Sequence, residues 1–283
     1  MPRRYLQGWH RVIRAMDHWI ARALLGVTLV AALPAAHSDE ITIAVASNFS
    51  SPMGEIVSGF EASSDHRVRV ALGSSGKLFA QIRHGAPFAA FFSADQDKVR
   101  ALVAADAADA SSRYTYALGR LVLWTTDAEL AGRERQALEA GKFRHLAIAN
   151  PRLAPYGAAA LQVIDALGLA EETSTKRVVG ENIAQTYQYV ASGNAQLGMI
   201  ALSQVFRDGA ITHGSGWLLP DTLHHPIQQD AIILKRATQD GKRTAVDAFW
   251  TYLQGPEAQR IIESYGYRVA ATSSIDRGPL NAE

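Results

Sequence analysis

The sequence predicts an α/β protein of two domains, each a mainly parallel sheet flanked by helices. Short β-branched or apolar runs alternate with longer stretches of helical period from Ile41 almost to the end of the 283-residue chain, which is the pattern of βαβ units. No repeat, low-complexity tract or flexible linker interrupts the alternation. Near the end it gives way to two consecutive helices, 242–253 and 256–265, parted by the stop and start signals Gly255-Pro256.

Strands are expected at 41–46, 67–72, 89–93, 120–125, 145–149, 176–179, 197–201 and 228–234. Most are near-continuous apolar runs, as strands covered on both faces require. Helices are expected between them at about 53–63, 77–85, 95–104, 129–140, 157–167 and 184–192. Two domains without a linker need crossing strands, and the segments near 119–122 and 225–229 are the candidates. Domain I is then discontinuous, 39–118 plus 226–283, and domain II is 119–225.

The first 38 residues read as a signal peptide rather than as part of either domain. Arg3, Arg4, Arg11, Arg14 and Arg22 make a positive leader, an uncharged and mostly apolar run of 14 residues follows at 23–36, and Ala36-His37-Ser38 offers small residues at a cleavage site. The alternative, a retained anchor, meets the shortness of that run against the roughly 20 residues a spanning helix needs. Arg3-Arg4 lies too far from the apolar run for a twin-arginine signal to be relied on.

Removing the leader takes five basic residues and one acidic one from 28 and 27, leaving 23 against 26 and a net charge of −3. A slightly acidic protein has no basic footprint for nucleic acid or an anionic membrane, so any anion it holds must be held locally. The absence of cysteine excludes disulfides, thiolate metal sites and cysteine nucleophiles. An exported chain of this size can rely on its cores instead.

Four loops, each between a strand and a helix, carry the chemistry, because free backbone N–H groups and the helix dipole favour an anion there. They are Ala46-Ser47-Asn48-Phe49-Ser50-Ser51-Pro52, Gly73-Ser74-Ser75-Gly76, Asn150-Pro151-Arg152-Leu153-Ala154-Pro155-Tyr156-Gly157 and Gly180-Glu181-Asn182-Ile183-Ala184. Any one of them alone is ordinary helix capping. Two from each half, facing one another across a cleft, surround a small anion with neutral donors. The second is not a Walker A loop, and the chain contains no G-x-S-x-G, H-E-x-x-H or G-x-G-x-x-G motif. His224-His225 reads as a surface turn before Pro226, and Trp124, Trp217, Trp250, Tyr187, Tyr189, Tyr265 and Tyr267 read as core or interface aromatics.

With these loops in view, the chain resembles the periplasmic molybdate-binding proteins of ABC importers over about 41–269. The matching stretches include Ala46-Ser47-Asn48-Phe49, Gly73-Ser74-Ser75-Gly76, Phe92-Ser93-Ala94-Asp95, Ala154-Pro155-Tyr156-Gly157 and Leu253-Gln254-Gly255-Pro256-Glu257-Ala258; Phe92-Ser93-Ala94-Asp95 is read as structural rather than ligand-touching. The resemblance implies a type II-like periplasmic-binding-protein fold with the ligand in the interdomain cleft. It also implies capture of molybdate or tungstate for a membrane permease, by a monomer that needs no cofactor and binds no nucleic acid.

Carried onto this chain, the oxyanion contacts fall on Ser47, Asn48, Ser75, Tyr156 and Ile183, the last two through backbone N–H groups, so their side chains should matter less. Many relatives place a contacting Tyr where Ala201 stands here, and Ser47 is the expected substitute donor. The competing expectations are another oxyanion, such as sulfate or thiosulfate, on the same scaffold, and more distantly a periplasmic hydrolase or transferase. No direct cation coordination is expected.

Overall fold

The computed structural model describes residues 39–240 and 242–268. The expected leader at 1–38 and the expected end of domain I at 269–283 lie outside the described residues.

The first sheet is built from β1 (Glu40–Ala46), β2 (Arg67–Gly73), β3 (Ala90–Phe92), β4 (Tyr114–Gly119) and β12 (Ile227–Ile233), in the order β2-β1-β3-β12-β4. The second contains β5 (Leu121–Thr125), β6 (Leu146–Ala149), β7 (Arg177–Gly180), β8 (Leu197–Ala201) and β11 (Ser215–Leu218), in the order β11-β5-β8-β6-β7. A separate ribbon pairs β9 (Phe206–Arg207) with β10 (Ala210–Ile211). In each main sheet three strands run parallel, and antiparallel pairings complete the rest. The antiparallel pairs arise where the chain crosses: β4 ends at Gly119 and β5 opens at Leu121 in the other sheet, while β12 returns to run against β3 and β4.

Both faces of each sheet are covered, which explains the long apolar strands. Along β1, Ile41, Ile43 and Val45 pack into a core with Phe49, Phe249 and Trp250, while Ala44 faces a second core containing Leu78, Phe91 and Ile232. The second sheet repeats this two-residue alternation: Leu121 and Leu123 lie in one core, Val122 and Trp124 in the other.

The covering helices are α1 (Ser50–Ser63), α2 (Ser75–Arg83), α3 (Asp97–Ala104), α4 (Glu134–Glu139), α5 (Pro155–Ala166), α6 (Ala170–Ser174), α7 (Ile183–Ala191), α8 (Arg236–Gln239), α9 (Arg243–Leu253) and α10 (Pro256–Ser264). The expected helix at 129–140 is thus halved. Gly132 before it has φ +73, a left-handed turn that a continuous helix excludes. Strands β4 and β11 were not expected.

Register brings the loops together. Ala46 pairs with Gly73 at the end of the β1–β2 ladder, and Ala149 pairs with Gly180 at the end of β6–β7. The chain therefore leaves each ladder at the same level, so the first and second loops emerge side by side, as do the third and fourth.

One buried ion pair secures the crossing strand. The fully buried Asp230 accepts from Arg113 Nε at 2.6 Å, Thr115 Oγ1 at 2.7 Å and Gln96 Nε2 at 3.1 Å. Asp230→Ala leaves these donors without their acceptor, and stability should fall by about 1–3 kcal/mol. Urea denaturation checks this, with a lower midpoint and an unchanged slope as the expected result.

Candidate functional site

All four loops open helices, and each helix begins one to three residues earlier than its sequence pattern predicts. That shift places the expected site residues inside the first turn, where backbone N–H groups have no intrahelical acceptor.

Ser74 caps α2 by accepting from Lys77 N at 3.4 Å, and Gly76 N donates to the Leu153 carbonyl at 2.9 Å, which leaves Ser75 to open the helix with its N–H uncommitted. In α5, Pro155 stands first and has no N–H, so Tyr156 presents the leading donor. Asn182 caps α7 by accepting from Ala184 N at 3.0 Å and Gln185 N at 3.1 Å, leaving the N–H of Ile183. Ser47–Phe49 forms a 3₁₀ turn that runs into α1, and the Asn48 N–H lies in its unpartnered start.

These starts border one small cleft, lined by Ala46, Ser47, Asn48, Gly73, Ser74, Ser75, Ala94, Ala154, Pro155, Tyr156, Asn182 and Ile183. All five expected site residues are brought together there, and none of the lining residues carries a formal charge. The short, close-set lining suits a small ligand rather than a sugar or a peptide. The positive ends of α1, α2, α5 and α7 supply the field that favours an anion.

The side chains divide the labour unequally. Ser75 Oγ accepts from Ala94 N at 2.9 Å, which keeps its own proton available to the cavity. Ser47 Oγ donates to the Gly73 carbonyl at 3.0 Å and so ties the first loop to the second. Both Nδ2 donors of Asn48 are used behind the site, to Gln229 Oε1 at 2.7 Å and to Tyr267 OH at 2.9 Å. Its contribution to an anion is therefore the backbone N–H. The Asn48 carbonyl accepts from Ser203 Oγ and Tyr267 OH, each at 2.8 Å.

The Tyr156 side chain is itself engaged in the fold. It is fully buried, and its hydroxyl accepts from Gln229 Nε2 at 3.1 Å, so the ring is an anchor rather than a bystander. Burial first, then the neighbouring Tyr267 and Tyr116 hydroxyls, pushes its ionisation well above the ordinary tyrosine range, and it stays neutral. Tyr267 is pushed up to about 12, chiefly by burial.

Ala201 is fully buried in the second sheet, outside the cavity lining, and its N–H donates to Gln204 Oε1 at 3.0 Å. A tyrosine there must displace core side chains. Ala94, expected to be structural, lines the cavity and orients Ser75. His224 is buried rather than exposed, its Nδ1 against the His225 carbonyl at 2.8 Å. Ser203, Gln229 and Tyr267 were not among the expected site residues. The available signal was the polar run Gln228-Gln229-Asp230, of which Gln229 and Asp230 are buried, inside a strand whose other residues are apolar.

Glu181 stands beside the fourth loop but faces away from the cavity lining, pairing across the cleft with Lys77 at 2.5 Å. Both are about half exposed, so the pair contributes at most about 1 kcal/mol. Glu181→Gln should change anion affinity less than about fivefold, and phosphate should bind no better; titration calorimetry checks both.

Two α/β lobes joined by crossing strands, with four helix starts bordering one cleft, define a two-lobed solute-binding protein. Residues 41–268 match the bacterial extracellular solute-binding protein family. The molybdate-binding protein ModA of Azotobacter vinelandii is 46% identical over 243 residues, 86% of this chain and 94% of that protein. ModA of Rhodobacter capsulatus is 41% identical over 244 residues, 86% of this chain and 93% of that protein. The solved periplasmic molybdate-binding protein of Azotobacter vinelandii superposes with a TM-score of 0.77, at 35% identity, covering 82% of this chain and all of that one. The chain belongs to the bacterial extracellular solute-binding protein family, and its relatives there include the molybdate-binding proteins.

Proposed function

We propose that this protein captures molybdate or tungstate in the periplasm and delivers it, as a monomer, to the membrane permease of an ABC importer. One observation carries the reading: four helix starts share a cavity lined entirely by uncharged residues. The ModA relatives support molybdate as the ligand.

In this reading the anion is held by the N–H groups of Asn48, Ser75, Tyr156 and Ile183 and by the hydroxyls of Ser75 and Ser47. Ser47 shares its proton between the Gly73 carbonyl and the anion and replaces the donor missing at Ala201. A full shell of donors satisfies a completely deprotonated oxyanion, whereas hydrogen phosphate brings a proton that needs an acceptor. The two lobes, 39–118 with 226–283 and 119–225, close on the ligand by hinge motion. The chemistry is binding rather than catalysis. The 1–38 leader is removed on export, and no described helix is long and apolar enough to cross a membrane.

Calorimetry on anion-stripped protein tests the reading, with tight molybdate and tungstate binding, weaker sulfate and negligible phosphate as the expected results. Phosphate binding as tight as molybdate would contradict it.

A further inference from the structure

Behind the cavity lies a cluster of buried polar side chains: Gln229 with Asn48, Tyr116, Tyr156, Tyr267 and Ser203. At its centre the Gln229 side chain is fully buried on the crossing strand β12. Its Oε1 accepts from Asn48 Nδ2 at 2.7 Å and from Tyr116 OH at 3.0 Å, while its Nε2 donates to Tyr156 OH at 3.1 Å. The acceptor end thus serves residues packed on the first sheet, and the donor end reaches a residue of α5 on the second.

We infer that Gln229 is a positioning residue for anion binding, clamping the two lobes together by holding Asn48 and Tyr156 through one amide. This rests on the oxyanion reading above and adds to it the residue that couples the opposing anion loops.

Three physical facts support the clamp. An amide has one accepting and one donating end, so it joins the Asn48 NH₂ group to the Tyr156 hydroxyl in one polarity only. The bonds lie in the dry interior, where an unpaired partner is costly. The backbone also makes room for the link: a Cβ added to Gly119 would stand 2.3 Å from Tyr156 OH and 2.7 Å from Gln229 Nε2. Any larger residue there would break the connection.

The clamp spans the lobes, so it acts on the closed state and governs release rather than capture. Tyr156→Phe removes the Gln229–Tyr156 bond, one of several between the lobes; it keeps the Tyr156 N–H and leaves the Asn48 and Tyr116 bonds to Gln229 Oε1 intact. Stopped-flow fluorescence with molybdate should show an off-rate raised about tenfold with the on-rate within twofold of wild type, the penalty of one unpaired buried donor. Gln229→Met, similar in size and without polar ends, should raise the off-rate at least as much and provides the test should the first variant misfold. An unchanged off-rate in either folded variant, or a loss confined to the thermal stability of the ligand-free protein, overturns the clamp while leaving the oxyanion reading intact. A wild-type protein that binds neither molybdate nor tungstate overturns both.

Discussion

Ser75→Ala should weaken molybdate binding ten- to a hundredfold. Its hydroxyl has the best-defined role in the cavity: Oγ accepts from the Ala94 N–H at 2.9 Å, which directs its single proton elsewhere, and the cavity is the open direction. A hydrogen bond to a charged partner contributes on the order of 1.5–3 kcal/mol, which is the range of affinity loss expected. Removing Oγ also strips the buried Ala94 N–H of its acceptor. Ser47→Ala should lose less, because the Ser47 proton is shared with the Gly73 carbonyl. Titration calorimetry of the two variants gives the order directly, and a Ser47 variant weaker than the Ser75 variant would reverse the division of labour between the two hydroxyls.

A second large effect is expected at Gly157, which lies outside the cavity lining. A Cβ there would stand 2.2 Å from the Ala149 carbonyl oxygen and 3.0 Å from the Asn150 carbonyl carbon, both backbone atoms that cannot swing aside. Gly157→Ala must therefore push the start of α5 away from the end of β6 and take the Tyr156 N–H with it. Overpacking of this kind costs about 1–3 kcal/mol of stability. A displacement of the donor by about 1 Å removes its hydrogen bond to the anion besides. The expected outcome is a lowered melting temperature together with molybdate affinity reduced at least tenfold. Wild-type affinity in this variant would show that α5 does not set the geometry of the site.

The parts of the fold that were readable in the sequence are those with covered strands. β1 and β8 are apolar at every buried position, and β5 at all but its last, Thr125, so their runs announce themselves without a partner. β4, Tyr-Thr-Tyr-Ala-Leu-Gly, mixes hydroxyls into the strand because Thr115 and Tyr116 serve Asp230 and Gln229. β11, Ser-Gly-Trp-Leu, sits at a sheet edge with little burial to imprint a pattern. Helix starts were placed late because Ser, Asn and Pro at an N-terminus identify a boundary without distinguishing the cap from the first turn.

The site was legible for a related reason. Four loops carrying the same kinds of donor and cap residues stand out along the chain, and the register of β1 with β2 and β6 with β7 does the rest. The supporting cluster was not legible, since Asn48, Tyr116, Tyr156, Ser203, Gln229 and Tyr267 meet only through the crossing of β4 and β12, and no local spacing relates them.

The central claim is that a dianion is held by neutral donors from four helix starts. A crystal structure of the molybdate complex tests it most directly, because anomalous scattering from molybdenum locates the ion without ambiguity. The predicted result places molybdenum in the cavity, with its oxygens about 2.7–3.2 Å from the N–H groups of Asn48, Ser75, Tyr156 and Ile183 and from the Ser75 hydroxyl, and no lysine or arginine in contact. Molybdenum held by a cationic side chain, or bound outside this cavity, would contradict it.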